Sequence, residues 1–162
     1  MARTDYLDDP DAPVANSLVP SANVVVADDV GRILLIRRTD NGNWALPGGA
    51  MDLGETIVQA AEREVLEETG ITCRVSGLVG IYTNPRHVLE YTSDGEVRQE
   101  FSVVFTAAPV SGELTPSSES SHVEWVDVVD IDQLKMHPSM KQRIDRYMMG
   151  DDQPYLGRCR SR

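Results

Sequence analysis

The sequence is short of cysteine, of positive charge and of long apolar runs, and each shortage excludes a class of protein. Only two cysteines occur in 162 residues, Cys73 and Cys159, far apart and without CxxC or Cys/His spacing. That argues against a zinc centre or a disulfide framework, and free thiols in a reducing compartment are expected. Lysine and arginine number 15 against 26 acids, a net charge of −11. Such a balance argues against a binder of long nucleic acid or of an anionic membrane surface, both of which want a basic face. A small phosphorylated substrate stays open, because a bound cation can invert the local field. No apolar run approaches the roughly 20 residues of a membrane span, and the opening MARTDYLDDPD has no apolar signal core. A soluble cytoplasmic chain is the expectation. There is no internal repeat.

What is present suits one domain with a real core. Residues 1–20, rich in Asp and Pro, are expected to form an extended arm, residues 21–149 the folded domain and 150–162 a tail. VVVA (24–27) and RILLIRR (32–38) are β-rich runs joined by DDVG, which predicts a hairpin. WAL (44–46) reads as a short strand and PGGAMDLGE (47–55) as a Gly-rich loop. TIVQAAEREVLEET follows as the best helix: Thr56 with Gln59 makes a capping-box signature, and Gly70 closes the far end. Ile57, Val58, Ala61 and Val65 form its apolar stripe, with Glu64, Glu67 and Glu68 to one side. Glu62 faces away from those acids and reads as ordinary surface. Further strands are expected over 71–82, 87–92, 97–107 and 122–128, with 109–121 a loop and a helical turn near 130–132. Pro138 suits the first position of a terminal helix, where Met140, Ile144, Tyr147 and Met148 make a packing stripe. The order predicts an α+β fold, helices layered on both faces of a mixed sheet as an α/β/α sandwich.

REVLEETG (63–70) is costly as helix. Glu64, Glu67 and Glu68 fall within an arc of roughly 100°. Like charges at i,i+3 and i,i+4 each destabilise a helix by about 0.2–0.5 kcal/mol. Glu67 and Glu68 also lie at the negative end of the helix dipole, where Lys or Arg would be preferred. Something other than local helix physics favours these carboxylates. A hard divalent cation, which takes oxygen ligands, would do so.

Gly49, Glu55, Arg63, Glu64, Val65, Glu67, Glu68, Gly70 and Ile71 fill nine specified positions within 23 residues. This pattern resembles the Nudix box, and the resemblance extends over roughly residues 20–148, with WALPGG before the box and a Trp-bearing strand after it. It implies the Nudix fold with its catalytic loop-helix-loop. It implies a pyrophosphohydrolase dependent on Mg²⁺ or Mn²⁺ that cleaves a nucleoside diphosphate linked to another moiety. Glu64, Glu67 and Glu68 would ligate metal, joined by the Gly48 carbonyl. Bound metals would bridge pyrophosphate oxygens and lower the pKa of a water. Arg63 and Glu55 resemble the pair that holds loop to helix and orients Glu64. Which carboxylate activates water stays open among Glu64, Glu67, Glu68 and Glu119, the last in the loop before the Trp125 strand.

Outside the box, Arg37 and Arg38 are candidates for substrate phosphates, followed by Arg86 and Arg98. Tyr82, Tyr91, Phe101 and Trp44 could stack on a base, although each also reads as packing. His87, His122 and His137 share no metal spacing. The Pro about 16 residues past the box in ADP-ribose hydrolases has no counterpart, since Pro85 lies 14 past Ile71. The Tyr near 17 in dinucleoside polyphosphate hydrolases is also missing, with Tyr82 at 11 and Tyr91 at 20. A nucleoside triphosphate or close relative is the favoured substrate. A Nudix-like sensor that binds a nucleotide without turnover is the rival reading, and a homodimer is what the family implies for assembly.

Overall fold

The computed structural model describes residues 3–157. Cys159 and the end of the tail lie outside the described residues. Eleven strands run in chain order as β1 (Arg3–Leu7), β2 (Ser17–Leu18), β3 (Ser21–Val26), β4 (Ile33–Arg38), β5 (Trp44–Ala45), β6 (Gly48–Ala50), β7 (Ile71–Tyr82), β8 (His87–Tyr91), β9 (Val97–Gln99), β10 (Ser102–Gly112) and β11 (Ser120–Val126). Helix α1 (Ile57–Thr69) lies between β6 and β7, a 3₁₀ segment spans Val128–Gln133, and helix α2 (Pro138–Met148) ends the domain.

The strands form three sheets, ordered β6-β3-β10-β7, β11-β4-β5 and β1-β8-β9-β2. The first is mixed: β10 runs parallel to β3 from Ser102 opposite Ser21 and antiparallel to β7. Its central strand β3 reads ANVVV and is buried on both faces, the pattern of a strand covered from either side. Alternation divides those residues between two cores. Val24 and Val26 pack with Ala61 and Val65 of α1, while Val25 packs with Met140 and Ile144 of α2. The α/β/α sandwich expected from the sequence is therefore present.

Several local readings change. The runs 24–27 and 32–38, expected as a hairpin, fall in different sheets joined by the isolated Ala27–Ile33 bridge, and the strand expected over 97–107 breaks into β9 and β10. The stretch 48–50, read as loop, pairs with β3 as β6 because Gly48 fits where a Cβ would lie 2.0 Å from the Ala22 carbonyl oxygen. Strand β10 runs on to Gly112 through Pro109. Its pairing with β3 ends at Ala107 opposite Val26, so the missing Pro109 N–H costs no ladder bond on that side. Val58 is 38% exposed and leaves the buried stripe of α1, which instead contains Ala60, Ala61, Val65, Glu68 and Thr69.

Both ends of the described residues are built into the body. Residues 3–7, within the segment expected as an extended arm, pair antiparallel with β8 from Arg3 opposite Tyr91 to Leu7 opposite His87. In the tail, Tyr155 bridges to β7: its N–H donates to Val79 O at 2.9 Å, and the Ile81 N–H donates to Tyr155 O at 2.8 Å.

Helix α1 starts and stops as its sequence dictates. Thr56 accepts from Gln59 N–H and the Gln59 side chain accepts from Thr56 N–H, a full capping box. At the other end Gly70 is left-handed (φ 77°) and donates to Leu66 O at 2.9 Å. A Cβ there would also lie 2.3 Å from Glu113 O. Gly70→Ala should therefore cost about 1–2 kcal/mol for the backbone alone, and more for the clash. Chemical denaturation of wild type and variant measures the loss, and a difference under about 0.5 kcal/mol would contradict it.

Candidate active site

Arg63 organises the loop and helix. Its guanidinium holds Glu55 bidentately, Nε to Oε2 at 2.9 Å and Nη2 to Oε1 at 2.7 Å. Nη2 also donates to Ala50 O at 3.0 Å, and Nη1 to Glu64 Oε1 at 2.8 Å and Glu67 Oε2 at 3.2 Å. One planar fork thus ties β6, the following loop and two turns of α1 together. Glu55 in turn accepts from Asp52 N–H at 2.7 Å. The Arg63 hydrogen bonds and that N–H hold the Glu55 carboxyl down to about 2. Arg63 itself is pushed up by Glu55 above all, with burial opposing and Glu64 adding.

The three helix carboxylates occupy three different environments. Glu67 is exposed beside Arg63. Glu64 is half-buried under Gly49, where an added Cβ would sit 2.6 Å from its carboxyl carbon. Its carboxyl is raised by burial above all, with Arg63 opposing and the charges of Glu67 and Glu119 adding. Glu68 is only 5% exposed and belongs to the buried face of α1. Its Oε2 accepts from Gly48 N–H at 2.9 Å. Burial pushes its carboxyl up to about 8; the Gly48 N–H opposes this, and the charges of Glu64 and Glu119 reinforce it.

Glu119 is exposed in the turn before β11, yet its charge reaches both Glu64 and Glu68. The turn is pinned to the end of β4, where Thr39 N–H donates to Glu119 O at 3.0 Å, and to α1, where Ser120 Oγ donates to Glu68 O at 3.0 Å. The fold thus brings Gly48, Glu55, Arg63, Glu64, Glu67, Glu68 and Glu119 into one region. Among the described residues, no three acidic, histidine or cysteine side chains are close enough to enclose a cation. The donor set still fits a hard divalent cation: two withdrawn carboxylates lie against a glycine edge that leaves them room, and their mutual repulsion lacks a full counter-charge.

Beside this region opens a cleft of about 670 Å³, its mouth included, bordered by Gly48, Gly49 and Ala50. The two arginine candidates separate here. Arg38 borders the cleft, held by Asp40 at 2.7 and 2.9 Å, whereas Arg37 is exposed and donates to Gly42 O at 3.3 Å outside it. Arg98, Tyr91 and Phe101 border the cleft as well. Arg98 lies 4.5 Å from the Tyr91 ring centre and is neutralised by Glu96 at 2.7 Å. Arg86, paired with Asp8 at the surface, does not border the cleft; Tyr82 stacks on Tyr155 at 4.6 Å; Trp44 packs into the core under α2. Glu62, expected as plain surface, accepts from Val75 N–H at 3.0 Å and clamps α1 to β7. Cys73 lies buried nearby, its thiol pushed up to about 11 by burial and then by Glu62, so it is inert at neutral pH.

Sequence reading missed the polar floor of the cleft: Asn23, Glu100 and Arg143, with Arg3, Asp5 and His87 beside them. Arg143 donates to Glu100 Oε1 at 2.7 Å and to Asn23 Oδ1, and Ser102 Oγ donates to Asn23 Oδ1 at 3.1 Å. These residues come from β1, β3, β8, the segment before β10, and α2. The only available signal was an arginine, Arg143, on the apolar side of α2.

Comparison with known proteins agrees with this geometry. The NUDIX domain family matches residues 17–148. A "MutT-like protein" of Streptomyces ambofaciens is 45% identical over 108 residues, covering 67% of this chain and 62% of that protein. An "ADP-ribose pyrophosphatase" of Methanocaldococcus jannaschii is 36% identical over 106 residues, covering 64% of this chain and 59% of that protein. The chain therefore spans about three fifths of the length of these two relatives. A solved NUDIX hydrolase from Nitrosomonas europaea superposes with a TM-score of 0.67 at 25% identity, covering 85% of this chain and 93% of its own. The filled box, the sandwich that presents it and the match over most of the chain agree: this protein belongs to the Nudix hydrolase family.

Proposed function

We propose that this chain is a Mg²⁺- or Mn²⁺-dependent pyrophosphohydrolase that splits the P–O–P bridge of a nucleoside diphosphate linked to another group, with nucleoside triphosphates favoured. The observation that carries this reading is the pair Glu64 and Glu68, withdrawn from water against Gly48 and Gly49, with an open cleft bordered by those two glycines. Glu64, Glu67, Glu68 and the Gly48 carbonyl would hold the metal. The bound metal would neutralise pyrophosphate charge and supply a more acidic water. Arg63 and Glu55 keep the glycine edge and Glu64 in register, so the carboxylates are in place before substrate arrives. Glu119 stands close enough in charge to serve as a late carboxylate. Of the two arginine candidates Arg37 and Arg38, Arg38 is the one that borders the cleft, which supports it as a phosphate contact. The M. jannaschii relative, by its name, works on a nucleotide linked through pyrophosphate, which supports the reaction class here.

The test is a nucleotide panel with Mg²⁺ or Mn²⁺ in ¹⁸O-labelled water, products resolved to identify the attacked phosphorus. Release from at least one pyrophosphate-bridged substrate is expected. No release from any of them with either metal would overturn the reading and favour a sensor without turnover. A second expectation needs no turnover. Divalent metal at about 100 times its Kd should stabilise the protein by about 2.7 kcal/mol. For a chain of this size that is a rise of about 5–10 °C in Tm. Glu64→Ala, Glu67→Ala and Glu68→Ala should each shrink the rise. A metal-independent Tm would refute the ligand assignment.

A further inference from the structure

The cleft wall contributed by the N-terminal strand presents a carboxylate that is charged but poorly bonded. Arg3 and Asp5 of β1 stand opposite Tyr91 and Leu89 of β8, and all four border the cleft, so they share one sheet face. Asp5 Oδ2 lies 3.4 Å from Arg3 Nε, and Oδ1 lies 3.6 Å from His87 Nε2. Full N–H···O bonds are about 2.7–3.2 Å, so both oxygens keep accepting capacity. His87 is 5% exposed, and its Nε2 is buried without a hydrogen-bond partner. Burial favours protonating Asp5, but the His87 imidazole and the Arg3 and His137 charges outweigh it and keep the carboxyl well below its usual range. An ionised acceptor pair therefore waits in a cleft also bordered by Gly48 and Gly49, the glycines against which Glu68 and Glu64 lie.

We infer that Asp5 is the base-reading residue of the cleft, accepting two adjacent N–H groups from a guanine-type base while Arg3 faces the neighbouring carbonyl. This rests on the nucleotide-hydrolase reading above and names its substrate class. A carboxylate repels phosphate, so Asp5 is not a phosphate contact. Tyr91 and Phe101 border the same space and offer faces on which a base can stack. Guanine presents carbonyl, N–H and N–H₂ side by side and fills both Asp5 oxygens. Adenine and cytosine offer one amino group beside a ring acceptor, which leaves one oxygen short. Uracil places carbonyls on both sides of its single N–H and is repelled.

The experiment measures kcat/KM for GTP, ATP, CTP and UTP with Mg²⁺, and separately the affinity of metal-free protein for GMP and AMP. Wild type should rank guanine first and uracil last. A lost bidentate base contact is worth about 1–3 kcal/mol, roughly 5- to 150-fold. Asp5→Asn should therefore lower the guanine-over-adenine ratio by at least about fivefold, and a chain beginning at Asp8, which lacks β1, should lose the ratio similarly. Ratios are independent of the fraction of variant that folds. Equal affinity of wild type for GMP and AMP overturns the inference whatever the turnover, because monophosphate binding requires no hydrolysis. So does an Asp5→Asn variant that keeps the ratio, or one that instead loses discrimination between ribose and deoxyribose, which would assign Asp5 to the sugar. Absence of turnover with GMP preference intact would fault the hydrolase reading and leave the base subsite standing.

Discussion

Glu68→Gln should lower metal-dependent turnover by about 10²–10³-fold, the usual loss when one preorganised electrostatic group is removed, and should raise the stability of the metal-free protein. Both effects follow from burial. Glu68 is 5% exposed, and its carboxyl titrates near 8 rather than the ordinary 4.5. Below pH 4.5 the group is protonated in folded and unfolded chains alike, and folding carries no charge penalty. Between 4.5 and 8 the unfolded chain gives up its proton while the folded chain keeps it, so stability falls as pH rises. Above about 8 both are ionised and the penalty is constant. Gln keeps the shape and cannot ionise. The Tm of Glu68→Gln should therefore exceed that of wild type increasingly across this window in chelator, and by little at pH 4. Each pKa unit corresponds to about 1.4 kcal/mol, so the gain at pH 8 should be a few kcal/mol. Excess Mg²⁺ should reverse the order, because only the carboxylate gains from the metal. Parallel Tm curves in chelator at every pH would show that Glu68 is not the strained group.

Arg143→Met should have the largest effect on folding outside the box, a loss of about 3–5 kcal/mol. Arg143 is 2% exposed, bonds Glu100 and Asn23, and lies 5.1 Å from the Tyr82 ring centre. Removing it strands Glu100, itself 5% exposed, with His87 Nδ1 no nearer than 3.6 Å. The double variant Arg143→Met with Glu100→Gln should recover much of the loss, since the stranded charge is gone. Arg86→Met, whose pair with Asp8 lies at the surface, should cost no more than about 1 kcal/mol. Urea unfolding of the four proteins checks the pattern. If Arg143→Met and Arg86→Met cost the same, the buried network has been misjudged.

Legibility in the sequence followed the range of the interaction. The two ends of helix α1 could be read from the sequence because its cap and stop lie within 15 residues of one another, Thr56 to Gly70. The grouping of Glu55, Arg63, Glu64, Glu67 and Glu68 is local in the same sense, so spacing alone announced it. The polar floor was not readable, because Asn23 and Glu100 lie 120 and 43 residues from Arg143 and no short spacing links them. Strand β1 was hidden for another reason. Its residues RTDYL lack an apolar stripe, and only pairing with β8 makes them a strand.

The amino-acid sequence by itself determined that three carboxylates would stand on one helix end beside a glycine edge, because 3.6-residue periodicity and capping act within a single segment. It also determined the two-sided core, since the ANVVV run of β3 can be satisfied only by cover on both faces. Only the tertiary structure decided how unlike those carboxylates are. Desolvation depends on everything packed around a side chain, so Glu67 stays in water, Glu64 is half withdrawn and Glu68 is sealed beneath Gly48. It also decided that the N-terminal strand would wall the cleft, because a wall assembled from five separate segments exists only once the chain has closed on itself.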